Sequence, residues 1–510
     1  MTHLLSMAQY KQAEITNVFW ASNDGFKGGR DPLGIQNSSI ATYSKLLPGL
    51  TNLTKHIRYY SLYCWLLSEY DRLEKLNEAH IHQYNFIRRA ELAIALIMRH
   101  LNFGAVVGAM FVAQERYKII EDGVYDLADG ADYESKDKYW SFKSGALGQY
   151  YAGSLIYYEL IKIEENRFYL RDKGKELACA VRNSIPESIR DTFIDCVLDG
   201  NITDVELKEL EPIGIHNVEY ATEEWKFLNN LLIQNDKDSS FRKETIFLLL
   251  NNLSSDIDVS DFVKYQFLYQ HKLPDSEASF GWYFYYLCEG LHYSIDTLFC
   301  LILDKIRELH NPPYSLLKED ITESIVQLLQ ETKKYKTIDE YRSCISESIE
   351  EIYEALKISL KNQEYVKAAC QAISLALKIY SEFESNKAEI IKFERTNELS
   401  RQRGILSEGL KSYVERYLNL PLTSYLEAII SQIMQEHTIV AIAKMGNSSS
   451  DLRKFIFEGG RAILVEQRYP VETSPRIDSL RNFLQDMGYI TEDNKLTNIA
   501  TKFIADYGKE

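Results

Sequence analysis

Cysteine is scarce in this sequence. Its seven copies, Cys64, Cys179, Cys196, Cys288, Cys300, Cys344 and Cys370, are odd in number, scattered and never arranged as CxxC. That pattern argues against a zinc ribbon and a disulfide framework and points to a reducing, cytoplasmic setting. The opening stretch MTHLLSMAQYKQAEIT lacks a basic region followed by an apolar one, so no signal peptide is expected. Long apolar runs are also wanting. The best of them, Gly281 to Leu303, carries Glu289, His292 and Asp296. A central acid costs about 2.5–3.5 kcal/mol to insert in a bilayer, so this run reads as a buried helix and no membrane contact is expected. Leu92 to Ala113 is broken by Arg99 and His100.

Catalytic signatures are missing as well. There is no P-loop, GxGxxG, HExxH or GxSxG, and no Arg followed four to six residues later by His. E-x-K occurs twice, at Glu134/Lys136 and Glu206/Lys208, with Asp122, Asp126 or Asp199 as an earlier acid. A metal-dependent nuclease needs that pair on an apolar strand to hold a cation and position water, and neither copy sits in one. Cys288 and His292 have the spacing of two zinc ligands on a helix. The remaining ligands have no source, and a buried cysteine with a core-edge histidine is the better reading. No cofactor and no metal are expected.

What is present is ordinary globular material. Hydrophobic residues make up 45% and charged residues 26% of 510 residues, enough for large cores and for two to four domains. The net charge is −16. Such a field repels nucleic acid at long range, so any contact with DNA must come from a local basic patch or a partner subunit.

The pattern along the chain is mainly α, with two winged-helix-like units. Residues 1–120 read as an N-terminal loop plus a helical domain. SNDGFKGGRDPLG must be loop, and a helical period begins near Thr51, in TNLTKHIRYYSLYCWLLSEYDRLEKL. A second helix follows in FIRRAELAIALIMRHL. Residues 121–200 read as the first winged-helix-like domain. It opens on an acidic loop (121–138), continues through the helical GALGQYYAGSLIYYELI and the hairpin IKIEE–NR–FYLRD, and closes with the helix KGKELACAVRNSI. Residues 201–430 read as a helical domain with acidic solvated faces. Residues 431–510 read as a C-terminal winged-helix-like domain. There HTIVAIAKM and KFIFEGGRAILVEQRY look strand-like, with Gly459-Gly460 as a hairpin turn, and a Pro-started helix, a very short hairpin and a last helix follow. The order Leu170, Gly174, Leu177-Ala178 recurs as Leu496, Ala500, Phe503-Ile504.

Two stretches are candidates for contact with nucleic acid or a partner. The first is the N-terminal polar cluster, chiefly Arg30, Lys55, His56, Arg58 and Tyr59. Residues 1–64 hold six Lys or Arg against three Asp or Glu. Helix-borne cations beside tyrosine rings can hold phosphate while a ring stacks on a base. Equally, this arm can pack on the first helical domain, with Arg58 paired to an acid. The second is the first winged-helix-like unit, with Lys143, Arg167, Arg171 and Lys173. Its presumed reading helix, AGSLIYYELI, has almost no polar side chain for base edges, which argues against sequence-specific readout. A further polar group is His437 and Lys444, followed by Arg461 and Arg476.

The run GGRDPLG…LLPGLTNLTKHIRYYSLYCWLL, taken with the winged-helix-like units and HTIVAIAKM, resembles uncharacterised proteins of bacterial anti-phage defence loci. The resemblance transfers no catalytic residue. It implies a defence complex working with an ATPase or nuclease subunit. The expected function is therefore a non-enzymatic subunit that binds DNA or partner proteins through its winged-helix-like domains, with oligomerisation open. The alternatives are a metal-dependent nuclease effector with a degenerate site and a purely structural helical adaptor.

Overall fold

A computed structural model describes residues 31–104, 106–113, 119–121, 123–216, 218–233, 240–270, 276–308, 315–329, 336–401, 404–445 and 452–508. The chain is mainly helical, with small antiparallel hairpins. It forms two compact units, and each is assembled from separated stretches. One comprises residues 1–45 and 263–473, the other residues 46–262 and 474–510. The second unit thus joins residues from three of the four consecutive segments read from sequence with the end of the last one.

The first unit is built around the helix Glu277–Glu308, the buried run read from the sequence. Glu277 lies in its first turn and Lys305 and Arg307 in its last, which suits the helix dipole. Gly290 lets a neighbour approach closely, because a Cβ there would lie 2.8 Å from Ile379 Cδ1 on the helix Tyr365–Ser385. Among the described residues, no helix is long and apolar enough to cross a membrane.

The same unit corrects one expectation. HTIVAIAKM is not a strand but the last part of the helix Leu422–Met445. Its Ile, Val and Thr favour strands locally, yet His437, Val440, Ala441 and Lys444 recur at helical spacing and are all buried. Tertiary burial overrides local preference here. The following hairpin matches the sequence reading. Phe455–Glu458 pairs with Arg461–Leu464 across Gly459 and Gly460, both at positive φ, as a two-residue turn between twisted strands requires. Ser315–Leu317 adds a third strand, beside Arg461–Leu464.

The second unit centres on the helices Arg58–Leu76 and Gln83–His100. Every residue from Arg58 to Leu67 is buried, so the former is a core helix rather than a surface amphipath. It begins seven residues later than the sequence suggested. Thr51 uses its hydroxyl to accept from the amides of Leu53 and Thr54, closing a turn instead of capping a helix. The acidic stretch 121–138 is not all loop. It holds the strand Val124–Asp126, paired with Asn201–Thr203, and the short helix Leu127–Ala131, whose N-terminus Asp126 caps by accepting from Asp129 N.

The hairpin Ile161–Glu164/Arg167–Leu170 and the closing helix Asp172–Ser184 form, but the turn is Glu165-Asn166, both at positive φ, one residue earlier than the Asn166-Arg167 read from the sequence, and Arg167 begins the second strand by pairing with Glu164. The tail 474–510 supplies the helices Ile477–Asp486 and Asn498–Tyr507 and an isolated bridge, Ile490 to Leu496. Residues 431–510 therefore divide at 473/474. Thr473 bonds to Glu289 in the first unit, whereas Asp486 bonds to His56 in the second.

Candidate functional site

The polar residues of the N-terminal cluster do not share a surface. Arg30 lies outside the described residues. Lys55 is exposed, while His56, Arg58 and Tyr59 are buried. Arg58 enters the core at the start of its helix, where its Nε and Nη1 are bonded. Its Nε donates to Glu224 Oε1 at 3.2 Å and its Nη1 to the carbonyls of Pro212, at 3.0 Å, and Gly214. Glu224 also accepts from Ser61 Oγ at 2.5 Å. A buried guanidinium needs this many acceptors to offset its lost hydration. His56 Nδ1 lies 3.0 Å from Asp486, whose other oxygen accepts from the Ile57 amide at 3.0 Å. Tyr59 OH accepts from Val107 N at 3.0 Å, and its ring stacks against Tyr63 and meets Tyr151. Burial pushes the Tyr59 hydroxyl well above the usual range. Arg58 is thus paired with an acid, Glu224, while residues 1–30 of the arm lie outside the described residues.

The hairpin cations, by contrast, lie at the surface. Arg167 is 2.8 Å from Glu74, Lys173 is 3.0 Å from Glu159, and Lys162 is 2.8 Å from Glu164. Lys175 is 2.9 Å from Asp172, and Arg182 is 2.6 Å from Glu69. Lys143 sits 4.5 Å from the ring centre of Tyr84, a cation–π contact. Arg171 is exposed at the N-cap of the closing helix. Four of the expected contact residues, Lys143, Arg167, Arg171 and Lys173, thus fall in this one unit. Three of them already engage an acid or an aromatic ring of the same chain.

The hairpin itself is anchored firmly. Gln83 donates to Phe168 O at 2.9 Å and accepts from Phe168 N at 3.0 Å, so its amide closes the outer edge of that strand as another strand would. Gly174 lets the closing helix touch the residue before the hairpin. A Cβ there would lie 2.1 Å from Leu160 O, which accepts from Arg171 N at 2.8 Å. The short helix before the hairpin, Ala152–Tyr157, exposes Gly153, Ile156 and Tyr157, and Ile163 is exposed on the hairpin. This unit offers apolar side chains to solvent among cations most of which are paired.

The remaining candidates have structural roles. Glu134 accepts from Tyr84 OH and Asn85 Nδ2, both at 2.8 Å. Glu206 closes a capping box with Thr203. Neither lies on a strand. Cys288 is buried, while Glu289 and His292 bond to each other at 3.2 Å. No group of three His, Cys, Asp or Glu that could hold a metal exists among the described residues. In the first unit, His437 Nδ1 donates to Pro32 O and Lys444 Nζ to Asp31 O, at 3.0 and 2.5 Å. Two strings of the resemblance, DPLG and HTIVAIAKM, are therefore in contact. Arg461 stays on its hairpin, and within the second unit Arg476 donates to Leu47 O.

The sequence reading missed the buried charges of the helix Gln83–His100. Arg88 donates to the carbonyls of Ala131, Phe142 and Trp140, and Arg89 holds Asp132 with two bonds of 2.7 Å. Glu91 accepts from Tyr63, Tyr139, Ala146 N and Leu147 N. The available signal was three charges inside the otherwise apolar run FIRRAELAIALIM, since charges buried on a core helix require partners. No family model matches the chain, and no curated protein or solved structure matches it either.

Proposed function

We propose that the chain is a non-enzymatic subunit of a bacterial anti-phage defence assembly, and that its winged-helix-like segments contact partner proteins rather than nucleic acid. One observation carries the choice of protein over DNA. Lys143 lies over a tyrosine ring and Arg171 is exposed at a helix N-cap, but Lys162, Arg167, Lys173, Lys175 and Arg182 are matched by acids of the same chain at 2.6–3.0 Å. Each would have to leave its acid to reach a phosphate, in a molecule of net charge −16. The exposed face of Ala152–Tyr157, where a winged helix would read bases, carries Ile156 and Tyr157 and no hydrogen-bonding group suited to base edges beyond one phenol. Apolar and aromatic side chains of this kind suit a protein surface. The E-x-K glutamates support the non-enzymatic reading, because their carboxylates serve a capping box and a Tyr–Asn pair.

The test is fluorescence anisotropy of labelled duplex and single-stranded DNA at low salt. The expected outcome is no saturable binding up to roughly 10 μM, a concentration at which non-specific DNA binders respond. Saturable binding that weakens with added salt, and that is lost on Arg167→Glu and Lys173→Glu, would overturn the reading.

A further inference from the structure

The hairpin Ile161–Glu164/Arg167–Leu170 has two outer edges, and the chain treats them differently. The edge of Arg167–Leu170 is closed, because the Gln83 amide bonds to both Phe168 N and Phe168 O. The edge of Ile161–Glu164 meets no further strand among the described residues, where this sheet has two strands. The register fixes which groups that edge offers. Arg171 N donates to Leu160 O at 2.8 Å, so the rungs of the ladder fall at Leu160, Lys162 and Glu164. Ile163 therefore turns its N–H and C=O outward, as Phe168 opposite it does. Outward-facing backbone groups on a sheet edge are a template for another strand.

The side chains of this edge fit the same picture. Ile163 lies opposite Phe168 and Ile161 opposite Leu170, so the four share one face of the hairpin. Ile161, Phe168 and Leu170 are buried, but Ile163 is 47% exposed, on the side where the sheet ends. Lys162 and Glu164 lie on the other face, 2.8 Å apart, one on each side of Ile163. Edge charges of a single sign keep a second edge away. These two have opposite signs.

We propose that this edge pairs with the same edge of a second copy of the chain, antiparallel about a two-fold axis at Ile163, to make a four-stranded sheet across a homodimer. In that register the two Ile163 residues face each other and exchange both backbone bonds, N–H to C=O each way. Each exposed Ile163 side chain is then covered by the other. Lys162 of each copy lies opposite Glu164 of the other on one face of the sheet, so two unlike pairs flank the axis. A parallel in-register pairing would set lysine against lysine and glutamate against glutamate. The order Lys-Ile-Glu is thus complementary to itself in the antiparallel sense, which is what an isologous contact requires.

The test is sedimentation velocity of the full chain from roughly 1 to roughly 100 μM, the range in which a small interface associates. The native chain is expected to be dimeric at the upper end. Lys162→Glu places a carboxylate opposite Glu164 at both pairs, and Glu164→Lys places an ammonium opposite Lys162 at both. Each variant alone should dimerise about tenfold or more weakly. An equal mixture of the two variants sets unlike charges opposite each other at both pairs and should regain the native affinity. A native chain that stays monomeric throughout overturns the proposal. So does a dimer that neither variant weakens, or one that their mixture fails to restore. The assay contains this chain alone, so the partner contact proposed above is tested separately.

Discussion

At the residue scale, the chain buries cations and surrounds them with carbonyls and carboxylates. Arg58 illustrates the energetics. With both Arg58 and Glu224 about 2% exposed, removing one partner strands the other. Arg58→Ala is expected to cost about 3–5 kcal/mol, seen as a clear drop in the thermal midpoint. Arg58→Lys should recover little, since an ammonium cannot span Glu224 and two carbonyls at once. If Arg58 instead served an external ligand, the alanine variant would keep native stability. His437 makes a prediction in pH. Burial pulls its pKa down to about 4, with the ring neutral between Pro32 O and Lys454 N. A depressed histidine stabilises the fold above 6.5, and this contribution drains away as pH falls toward about 4. It amounts to about 3 kcal/mol. Midpoints measured across this range should fall with acid in the native protein and fall less steeply in His437→Asn. Equal slopes would contradict the assignment.

At the element scale, legibility followed period and turn chemistry. Both hairpins were readable from the alternating runs around Gly459-Gly460 and Asn166, and the turns adopt positive φ where two-residue loops demand it, although the first turn is Glu165-Asn166 rather than Asn166-Arg167. The helix Glu277–Glu308 was readable from its apolar run, in which Glu289, His292 and Asp296 spoke for a buried helix. HTIVAIAKM was misread because β-branched residues say strand locally, while burial of His437 and Lys444 against the DPLG loop is a long-range fact absent from the string. Of the candidate site, the hairpin cations were legible as surface groups. Their neutralisation was not, because Glu74 and Glu159 come from elsewhere in the chain. Gly174 is the element-scale test. Its Cβ would strike Leu160 O, so Gly174→Ala must push the helix Asp172–Ser184 off the hairpin and break the bond from Arg171 N to Leu160 O. The cost is expected to be about 1–3 kcal/mol, with faster amide exchange confined to residues 160–175. Unchanged exchange would show that the contact is slack.

At the scale of the whole molecule, the account rests on where charge is spent. A chain of net charge −16 pairs most of its hairpin cations internally and leaves Ile156, Tyr157 and Ile163 exposed beside them. Each of the two units is assembled from two separated stretches of the sequence. The bonds that place the tail, Asp486 to His56 and Arg476 to Leu47 O, join residues more than 400 positions apart. The measurement that bears most directly on the central claim is photo-crosslinking in the native host. A photoreactive phenylalanine analogue replaces Tyr157, and a control replaces the exposed Cys344 of the other unit. The account predicts one dominant protein adduct at position 157, absent at 344 and lost on Ile156→Asp. An adduct to nucleic acid at position 157, or no adduct that differs from the control, would contradict it.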